Sequence, residues 1–242
     1  MSAGLLDLTL APDPGAGLAT QLLHGEAFTV YETRPDGLAW GQSGLDGYVG
    51  YVAAAGLGPD RPAGRRVTAL ASHRYAAPSI KARARGELPF LADLAGTEEA
   101  EGFARTGGDH VPLQHLAPLA GDAAEIATRF LGAPYLWGGR SARGLDCSAL
   151  VQLALLAAGI AAPRDSDMQA ALTGAALPER APGARGDLVF WRGHVGMLLD
   201  PQTLIHANAH HMAVAIEPLG PAIARIAAAG GGPVTGRRRP AA

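Results

Sequence analysis

The sequence predicts an α+β protein in which small all-β barrels precede a domain of helices and antiparallel strands. Two observations support this prediction. Residues 18 to about 120 carry short β-type runs divided by Gly, Pro and Asp, and from about residue 121 helical patterns come first and β-type runs follow. Helices followed by strands are typical of an α+β fold, because a βαβ fold would alternate the two.

The N-terminal region is predicted to form one or two small barrels of short antiparallel strands. Close turn signals such as PDG at 35–37 separate its β-type runs, as in small barrels. Residues 22–57 are faintly echoed by residues 84–119, which indicates a tandem repeat with a diverged second copy. The predicted boundaries are a lead over residues 1–17, a barrel over 18–75, a second, diverged barrel over 76–120 and the helix-and-strand domain over 121–242.

The C-terminal domain begins with helical patterns. Asp122 can cap the run AAEIATRFL, and CSALVQLALLAAG (147–159) is apolar almost all round, which predicts a buried central helix. In DSDMQAALTG (165–174), Ser166 precedes Gln169 by three residues, which is a capping-box pattern. The predicted strands are DLVFW (187–191), HVGMLLD (194–200), TLIHANA (203–209) and MAVAIEP (212–218), followed by a short helix after Pro221.

Composition excludes several classes of protein. The chain is 48% apolar and 17% charged with a formal net charge of −2, so no binding to nucleic acid or to a membrane is predicted. The basic cluster Arg237 to Arg239 is predicted to be a solvated tail. A single cysteine excludes an internal disulfide framework and a CxxC zinc site. The N-terminal stretch lacks a basic region and a long apolar run, so no signal peptide is predicted and the cytoplasm is the expected compartment.

Cys147 stands at the predicted start of the buried helix. A helix N-terminus carries a partial positive charge that favours a thiolate, and a free thiol with a pKa of about 8.5 also needs a base near neutral pH. Asp146 beside it has the opposite effect, because negative charge disfavours the thiolate. The alternative is that a lone cysteine among Ala, Leu and Val is a small buried apolar residue.

Two histidines are candidates for the base and its partner. His194 begins a predicted strand and His206 lies twelve residues later in the returning strand, so a hairpin brings them to nearby positions. One imidazole can then take the cysteine proton while the other orients it. The alternative is that one or both are surface histidines.

A metal site is the competing interpretation of the histidines. His206, His210, His211 and Asp146 can be written as a ligand set. However, His210 and His211 are adjacent, so they would point to opposite faces of a strand, and no HExxH spacing occurs. The sequence therefore predicts no metal and no cofactor.

Three blocks of the C-terminal domain carry a family resemblance, and they follow one another from about residue 122 to the end of the sequence. The blocks are FLGAPYLWGGRSARGLDCSALVQLALLAAGI, RGDLVFWRGHVGMLLD and LIHANAHHMAVAIEPL. They resemble the NlpC/P60 superfamily of cell-wall cysteine peptidases, which have a papain-like fold. The resemblance implies that Cys147 is the nucleophile, His194 the general base and His206 the residue that orients the imidazole. Because some members place another polar residue in the third position, Asn208 is a weaker candidate for that role.

A second resemblance lies in the N-terminal half, where GLAWGQSGLDGYVGYV is similar to a bacterial SH3-like barrel. Together with the NlpC-type domain it resembles the γ-D-glutamyl-L-diamino acid endopeptidases. In such enzymes the barrel borders the active site and helps restrict substrates to murein peptides with a free N-terminal L-Ala. This implies a substrate of the type L-Ala-γ-D-Glu-diamino acid, cut after D-Glu, with diaminopimelate and lysine both left open.

The same resemblance suggests which residues bind the substrate. Asp146 would pair with the N-terminal ammonium of the substrate by a charge-assisted hydrogen bond. Ser148, Tyr135 and Ser166 match positions that line the pocket in the family. Tyr48 is the candidate barrel residue that closes the pocket, and the alternative is that it is an aromatic residue of the barrel core.

Neighbouring residues are given structural roles. Arg164 and Asp165 are expected to fix their loop and cap the following helix, and Trp137 is expected to form a wall of the cleft.

Three functions are compatible with these patterns. The first is an endopeptidase acting on soluble murein peptides during cell-wall recycling. The second is an exported hydrolase that acts on intact peptidoglycan, which would need an export signal. The third is a non-catalytic wall-binding protein, which is disfavoured because Cys147, His194 and His206 occur in the expected order. The sequence gives no indication of the oligomeric state.

Overall fold

The computed structural model describes residues 2–13, 15–62, 64–96, 98–119 and 121–241. It divides into two compact units, one of residues 1–119 with 138–142 and the other of residues 120–137 with 143–242. The first unit is built from strands and short 3-10 helices, and the second contains helices and an antiparallel sheet, which is the α+β class that the sequence predicts. Within the described ranges, no helix combines the length and the apolar character needed to cross a bilayer.

Five antiparallel strands form the first sheet of the N-terminal unit, and a 3-10 helix follows them. They are β1 (Leu5–Thr9), β2 (Leu18–Leu23), β3 (Phe28–Thr33), β4 (Leu38–Ser43) and β5 (Val49–Ala53), in the spatial order β2-β1-β5-β4-β3, followed by the 3-10 helix Ala54–Gly56. The position of β1 corrects the predicted lead over residues 1–17. Because Leu6 and Leu8 alternate with Asp7, this strand buries these two leucines in the barrel core and exposes the aspartate.

A second five-stranded sheet has the same strand order. The next elements are β6 (Arg65–Arg66), β7 (Ala71–Tyr75), β8 (Ala84–Pro89), β9 (Asp93–Leu94), β10 (Glu98–Ala100), β11 (Phe103–Thr106), β12 (Asp109–Pro112) and the 3-10 helix Leu113–Leu116. The sheet order β8-β7-β12-β11-β10 repeats that of the first sheet, so the faint sequence repeat corresponds to a repeated topology. β7 is a strand of the second sheet, and Val67 belongs to the core of that sheet. The second sheet therefore begins before the boundary between the two barrels that the sequence predicts at residues 75 and 76.

The remaining elements belong to the C-terminal unit, apart from β13. In chain order they are α1 (Ala123–Thr128), β13 (Arg140–Ser141), β14 (Gly144–Leu145), α2 (Cys147–Ala157), α3 (Ser166–Leu172), β15 (Ala175–Ala176), β16 (Leu188–Trp191), β17 (His194–Asp200), β18 (Thr203–Asn208), β19 (Ala213–Pro218), α4 (Leu219–Ala228) and β20 (Gly236–Arg239). Six of them form one antiparallel sheet in the order β15-β20-β16-β17-β18-β19. The four predicted strands correspond to β16 through β19.

Helix α2 is the buried centre of the C-terminal unit. Every residue from Cys147 to Leu155 is buried, as the all-round apolar sequence predicts, and α2 packs against α1 and β17. Helix α1 begins as expected, because the Asp122 carboxylate accepts a hydrogen bond from the Glu125 backbone N–H at 2.8 Å. The most buried helix therefore carries the only cysteine at its first position.

The arginines at 237–239 do not form the solvated tail predicted from their charge. They lie in β20, which pairs with β16 inside the sheet. Arg239 donates to both carboxylate oxygens of the buried Asp187, at 2.7 and 2.8 Å. Arg237 donates to the carbonyl oxygens of Glu179 and Ala181, at 2.6 and 2.7 Å. Backbone pairing and these acceptors fix the cluster in the fold.

Candidate active site

Cys147 is the first residue of α2, and Asp146 is the N-cap of that helix. The Asp146 carboxylate accepts a hydrogen bond from the Ala149 backbone N–H at 2.9 Å, which fixes the first turn. Cys147 is 5% exposed. The backbone N–H of Val195 donates to its sulfur, so the thiol lies beside the peptide that joins His194 to Val195.

Asp146 also forms a buried ion pair with Arg164. Nη1 and Nη2 of Arg164 donate to the two oxygens of Asp146, at 2.9 and 2.7 Å, which is a bidentate geometry. Arg164 donates to the Ser148 hydroxyl at 2.9 Å, and that hydroxyl donates to Asp146 at 3.2 Å. Arg164 is 1% exposed, so the charge of Asp146 is compensated inside the protein. The sequence predicts only that Arg164 fixes its own loop. In the structure Arg164 also holds Asp146, the N-cap of α2.

The start of α3 differs from the predicted capping box. Asp165 occupies the N-cap position, so Ser166 is the first helical residue instead of the cap. The Gln169 side chain turns away from the helix start and donates to the carbonyl oxygens of Ser148 and Pro163, at 2.9 and 2.8 Å. The bond to Ser148 connects α3 to the first turn of α2, and the bond to Pro163 holds the loop before α3.

Burial raises the pKa of the Cys147 thiol to about 11, and the negative charge of Asp146 contributes to the increase. Hydrogen bonds from the N–H groups of Val195 and Ser148, together with the charge of Arg164, lower it by less. Asp146 thus opposes the thiolate, as its position in the sequence suggests. Near neutral pH the resting protein holds a neutral thiol, which needs a base at the moment of attack.

His194 and His206 form a hydrogen-bonded pair on neighbouring strands. Nε2 of His194, the first residue of β17, lies 2.8 Å from Nδ1 of His206 on β18. Nε2 of His206 lies 2.6 Å from Oε1 of Glu217 on β19. Arg225 on α4 donates to the same Glu217 oxygen. A continuous line of hydrogen bonds therefore runs from His194 through His206 and Glu217 to Arg225.

The protonation pattern along this line follows from its acidic end. Burial raises the pKa of Glu217, but hydrogen bonds from His206 and Arg225 outweigh burial and leave the pKa below its ordinary value. A carboxylate only accepts, so Nε2 of His206 carries a proton and its Nδ1 is an acceptor. Nε2 of His194 then donates to His206, which leaves a lone pair on Nδ1 of His194. Within the pair, that nitrogen is the one that can accept a proton.

Both histidines are neutral near physiological pH. Burial lowers the pKa of His194 to about 3, and the charges of His206 and Arg225 add to this effect. Burial also lowers the pKa of His206, although Glu217 partly counteracts it. The Trp191 ring lies 5.6 Å from the His194 ring and contributes to its enclosure. Proton transfer from the thiol to His194 is therefore unfavourable by itself and must be coupled to attack on a substrate.

A glycine makes room for the histidine pair. A Cβ atom at Gly196 would lie 3.2 Å from the Cβ of His206 and 2.7 Å from a methyl group of Leu204. A larger residue at this position would force the Leu204 side chain to move and crowd His206. The 2.8 Å bond between His194 and His206 depends on the close approach of β17 and β18.

The other predicted site residues lie in different surroundings. Tyr135 is half-buried near Cys147 and Asp146, and burial together with their negative charges raises the pKa of its hydroxyl to about 12. Ser166 begins α3 and is half-buried. Tyr48 belongs to the N-terminal unit and packs against the core of the first sheet. This agrees with the alternative given above, in which Tyr48 is an aromatic residue of the barrel core.

The weaker candidate for the third position has another role. Asn208 accepts a hydrogen bond from the His211 backbone N–H at 2.9 Å, and its side-chain oxygen lies 3.0 Å from Nδ1 of the same histidine. Asn208 thus holds the turn that follows β18, and His206 is the residue bonded to His194. Trp137, the predicted wall of the cleft, is 67% exposed.

Sequence reasoning misses the charged residues that complete the site. His206 is paired with Ala215, so Glu217, two residues further along β19, lies on the same face as His206. The run MAVAIEP contains this signal, but it is visible only once the register of β18 and β19 is known. Arg164 and Arg225 give no local signal, because their partners Asp146 and Glu217 lie on other elements.

Among the residues that the structure describes, one group of side chains has the chemistry to hold a metal ion. His206, His211 and Glu217 each place a ligating atom within 4.8 Å of the others. His210 and His211 lie in the turn between β18 and β19, so the strand-based reason for excluding a metal does not apply to them. The absence of a resident metal stays a prediction.

Family models match two parts of the chain. Residues 132–224 match the NlpC/P60 family, and residues 8–57 match the bacterial dipeptidyl-peptidase Sh3 domain. The chain therefore carries an SH3 domain followed by an NlpC/P60 domain. The resemblance stated from the sequence is confirmed for both parts.

Sequence relatives include two gamma-D-glutamyl-L-lysine dipeptidyl-peptidases. The protein from Bacillus subtilis is 35% identical over 133 residues, which cover 50% of this chain and 44% of the relative. The protein from Bacillus cereus is 34% identical over 110 residues, which cover 42% of this chain and 32% of the relative. The chain thus matches less than half the length of these curated relatives.

Solved structures show the same fold over nearly the whole chain. An NlpC/P60 family protein from Bacillus cereus superposes with a TM-score of 0.81 at 21% identity, covering 99% of this chain and 98% of that one. An NlpC/P60 endopeptidase from Photobacterium damselae gives a TM-score of 0.65 at 15% identity, covering 97% of this chain and 69% of that one. At these identities the likeness concerns the fold.

Proposed function

We propose that the protein is a cysteine peptidase that cleaves murein peptides between γ-D-Glu and a diamino acid. The observation that carries the proposal is the hydrogen-bonded line from His194 to His206 and Glu217, together with a bond from the backbone N–H of Val195, next to His194, to the Cys147 sulfur. It supplies a nucleophile, a base, an orienting partner for the base and a negative charge at the far end.

In the first step, Nδ1 of His194 takes the proton of the Cys147 thiol while the sulfur attacks the γ-glutamyl carbonyl carbon. The carbonyl π electrons move onto oxygen, and a tetrahedral intermediate forms. The backbone N–H of Cys147 at the helix start is a proposed donor to this oxygen. The Tyr135 hydroxyl, which is half-buried near Cys147, is a second one.

His194 becomes an imidazolium in this step, and the hydrogen-bonded line stabilises it. Its Nε2–H donates to His206, whose Nε2–H donates to the Glu217 carboxylate. The negative charge of Glu217 favours the positive charge on His194 through one intervening ring, and the charge of Arg225 opposes it. This contribution is present only while His194 is charged, so it lowers the barrier instead of strengthening substrate binding.

The intermediate then collapses. His194 gives its proton to the departing amine of the diamino acid, and the bond from that nitrogen to the glutamyl carbon breaks. The γ-glutamyl group remains on sulfur as a thioester. A water molecule, deprotonated by His194, attacks the thioester and releases the free carboxylate and the Cys147 thiol.

The substrate class is supported by the relatives. Two of them are named gamma-D-glutamyl-L-lysine dipeptidyl-peptidases, and the barrel matches an SH3 domain of bacterial dipeptidyl-peptidases. A dipeptidyl-peptidase removes two residues from an amino terminus, so we propose a free N-terminal L-Ala in the substrate. We also propose action on soluble fragments in the cytoplasm during cell-wall recycling.

The proposed role of Asp146 changes in one respect. Its carboxylate is already paired with Arg164, so an incoming ammonium meets a compensated charge. Recognition of the amino terminus is therefore proposed on the basis of the relatives, and Asp146 is one of the groups to be tested for it. Ser148, Tyr135 and Ser166 remain proposed pocket residues.

The proposal is tested with the full chain and L-Ala-γ-D-Glu-L-Lys, its diaminopimelate counterpart and the N-acetylated form of each. We expect release of the dipeptide L-Ala-γ-D-Glu from the free peptides. Acetylation removes a charge-assisted hydrogen bond, so kcat/KM should fall by about 10- to 100-fold. Chromatography with mass detection measures both products.

Other outcomes point to other functions. Equal cleavage of free and acetylated peptides would contradict recognition of the amino terminus. Cleavage of intact peptidoglycan without cleavage of the tripeptides would favour the wall hydrolase. Binding to insoluble wall without any cleavage would favour the non-catalytic protein.

The substitution Glu217→Gln should lower kcat for the tripeptide about 10- to 100-fold and leave KM unchanged. The amide oxygen of the introduced side chain still accepts from His206, so the ring stays in place while the negative charge is lost. Steady-state kinetics with the free tripeptide measures the two constants. An unchanged kcat would show that Glu217 has only a structural role.

A further inference from the structure

We infer that His206, His211 and Glu217 form an inhibitory binding site for a zinc ion, and that the bound ion switches off the base His194. The three side chains offer two imidazole nitrogens and a carboxylate oxygen, all within 4.8 Å of one another. Two His and one Glu are a known donor set for zinc, with a water molecule in the fourth position. The inhibitory effect rests on the proposed peptidase function, but the binding does not.

Each of the three ligands already has a partner that fixes its orientation. His211 has its Nδ1 3.0 Å from the Asn208 side-chain oxygen, which leaves Nε2 for a metal. His206 has its Nδ1 bonded to His194, which leaves Nε2 on the side of Glu217. Glu217 accepts from Arg225 at Oε1, the oxygen that faces His206, so a zinc ion would share this oxygen with the guanidinium or displace it. Metal-binding histidines are usually held in this way through their second ring nitrogen.

The distances require only small movements. Two ligands at about 2.0–2.1 Å from a tetrahedral zinc ion lie about 3.4 Å apart. Nε2 of His206 and Oε1 of Glu217 are 2.6 Å apart, so they must separate by less than 1 Å, as expected when a metal replaces the shared proton. His211 is exposed and lies in a turn, so its ring can close the remaining gap and solvent can reach the site.

Zinc at this position reverses the direction of the hydrogen-bonded line. The ion needs the lone pair of Nε2 of His206, so the proton of that ring moves to Nδ1 and is donated to Nε2 of His194. The proton of His194 then resides on its Nδ1, and the total number of protons on the two rings is unchanged. The lone pair that takes the Cys147 proton is thereby lost, which stops the first step of hydrolysis.

The binding test uses Cys147→Ala in the full chain, because this variant removes the thiol as a competing zinc ligand. Calorimetric titration with Zn²⁺ should show one ion per chain. Adding His211→Gln should weaken the binding at least tenfold, whereas His210→Gln is the matched control and should leave it unchanged. His210 is the neighbouring exposed histidine, and its ring lies 4.8 Å from that of His211.

The activity test uses the protein with Cys147 intact. Zn²⁺ should inhibit tripeptide cleavage, and His211→Gln should require at least tenfold more zinc for the same inhibition while keeping the zinc-free rate. Absence of zinc binding in Cys147→Ala, or equal weakening by His210→Gln and His211→Gln, would overturn the inference. In either case cleavage of the tripeptide would still support the proposed function. Conversely, binding with the expected histidine dependence but no cleavage would support the site and contradict the peptidase.

Discussion

Cys147→Ala should reduce cleavage of the free tripeptide by about 10⁴- to 10⁶-fold, as loss of a nucleophile does in other peptidases. The thiol sulfur is the only atom removed, and no other residue of the chain has a thiol. The helix N-cap on Asp146 and the ion pair with Arg164 do not involve the sulfur, so the fold should be retained. Single-turnover kinetics with the free tripeptide gives the size of the loss.

Chemical modification provides an independent control for this prediction. Because the chain has one cysteine, alkylation with iodoacetamide at alkaline pH, where the thiolate forms, targets a single defined sulfur. Loss of activity should therefore follow incorporation of one alkyl group per chain, measured by intact mass. Cleavage by Cys147→Ala within tenfold of the unmodified protein would contradict the assignment of the nucleophile.

Arg164→Met should lower the free energy of unfolding of the C-terminal unit by about 3–5 kcal/mol, because it leaves a buried carboxylate without its partner charge. Methionine fills most of the space of the arginine stem, so the loss comes mainly from the bidentate bonds to Asp146 and the bond to Ser148. Urea unfolding, followed by Trp fluorescence, measures the change.

The double variant Asp146→Asn with Arg164→Met separates the ion pair from other effects of the substitution. Asparagine keeps the N-cap of α2 and removes the charge that the single variant leaves unpaired. The double variant should therefore be more stable than Arg164→Met alone. Additive losses from the two substitutions, or a loss under about 1 kcal/mol for Arg164→Met, would show that the pair contributes little.

Local patterns account for the parts of the fold that the sequence predicts well. The predicted strand at 194–200 matches β17, because turns containing Gly193 and Asp200 limit it on both sides. The start of α2 follows from its cap at Asp146 and its apolar run. Both features are determined by residues close together in the chain.

The features that sequence reasoning misses depend on distant partners. The sequence of β1 does not indicate a strand of the barrel, because Asp7 interrupts a short apolar stretch. The pairing of β1 with β5 is also hidden, because β5 lies far along the chain. The arginines of β20 look solvated, because the carboxylate of Asp187 lies about fifty residues earlier. In the site, Cys147 and the histidines follow from a helix start and a hairpin, but Glu217 requires the register of a further strand.

The raised pKa of Cys147 has a consequence for the chemical lifetime of the protein. Peroxides oxidise thiolates, and exposed thiolates are oxidised fastest. A thiol that is 5% exposed and has a pKa of about 11 presents very little thiolate to an oxidant near neutral pH. The burial and the neighbouring carboxylate that make the proposed nucleophile unreactive at rest therefore also protect it from conversion to sulfinic acid, which is irreversible in most proteins.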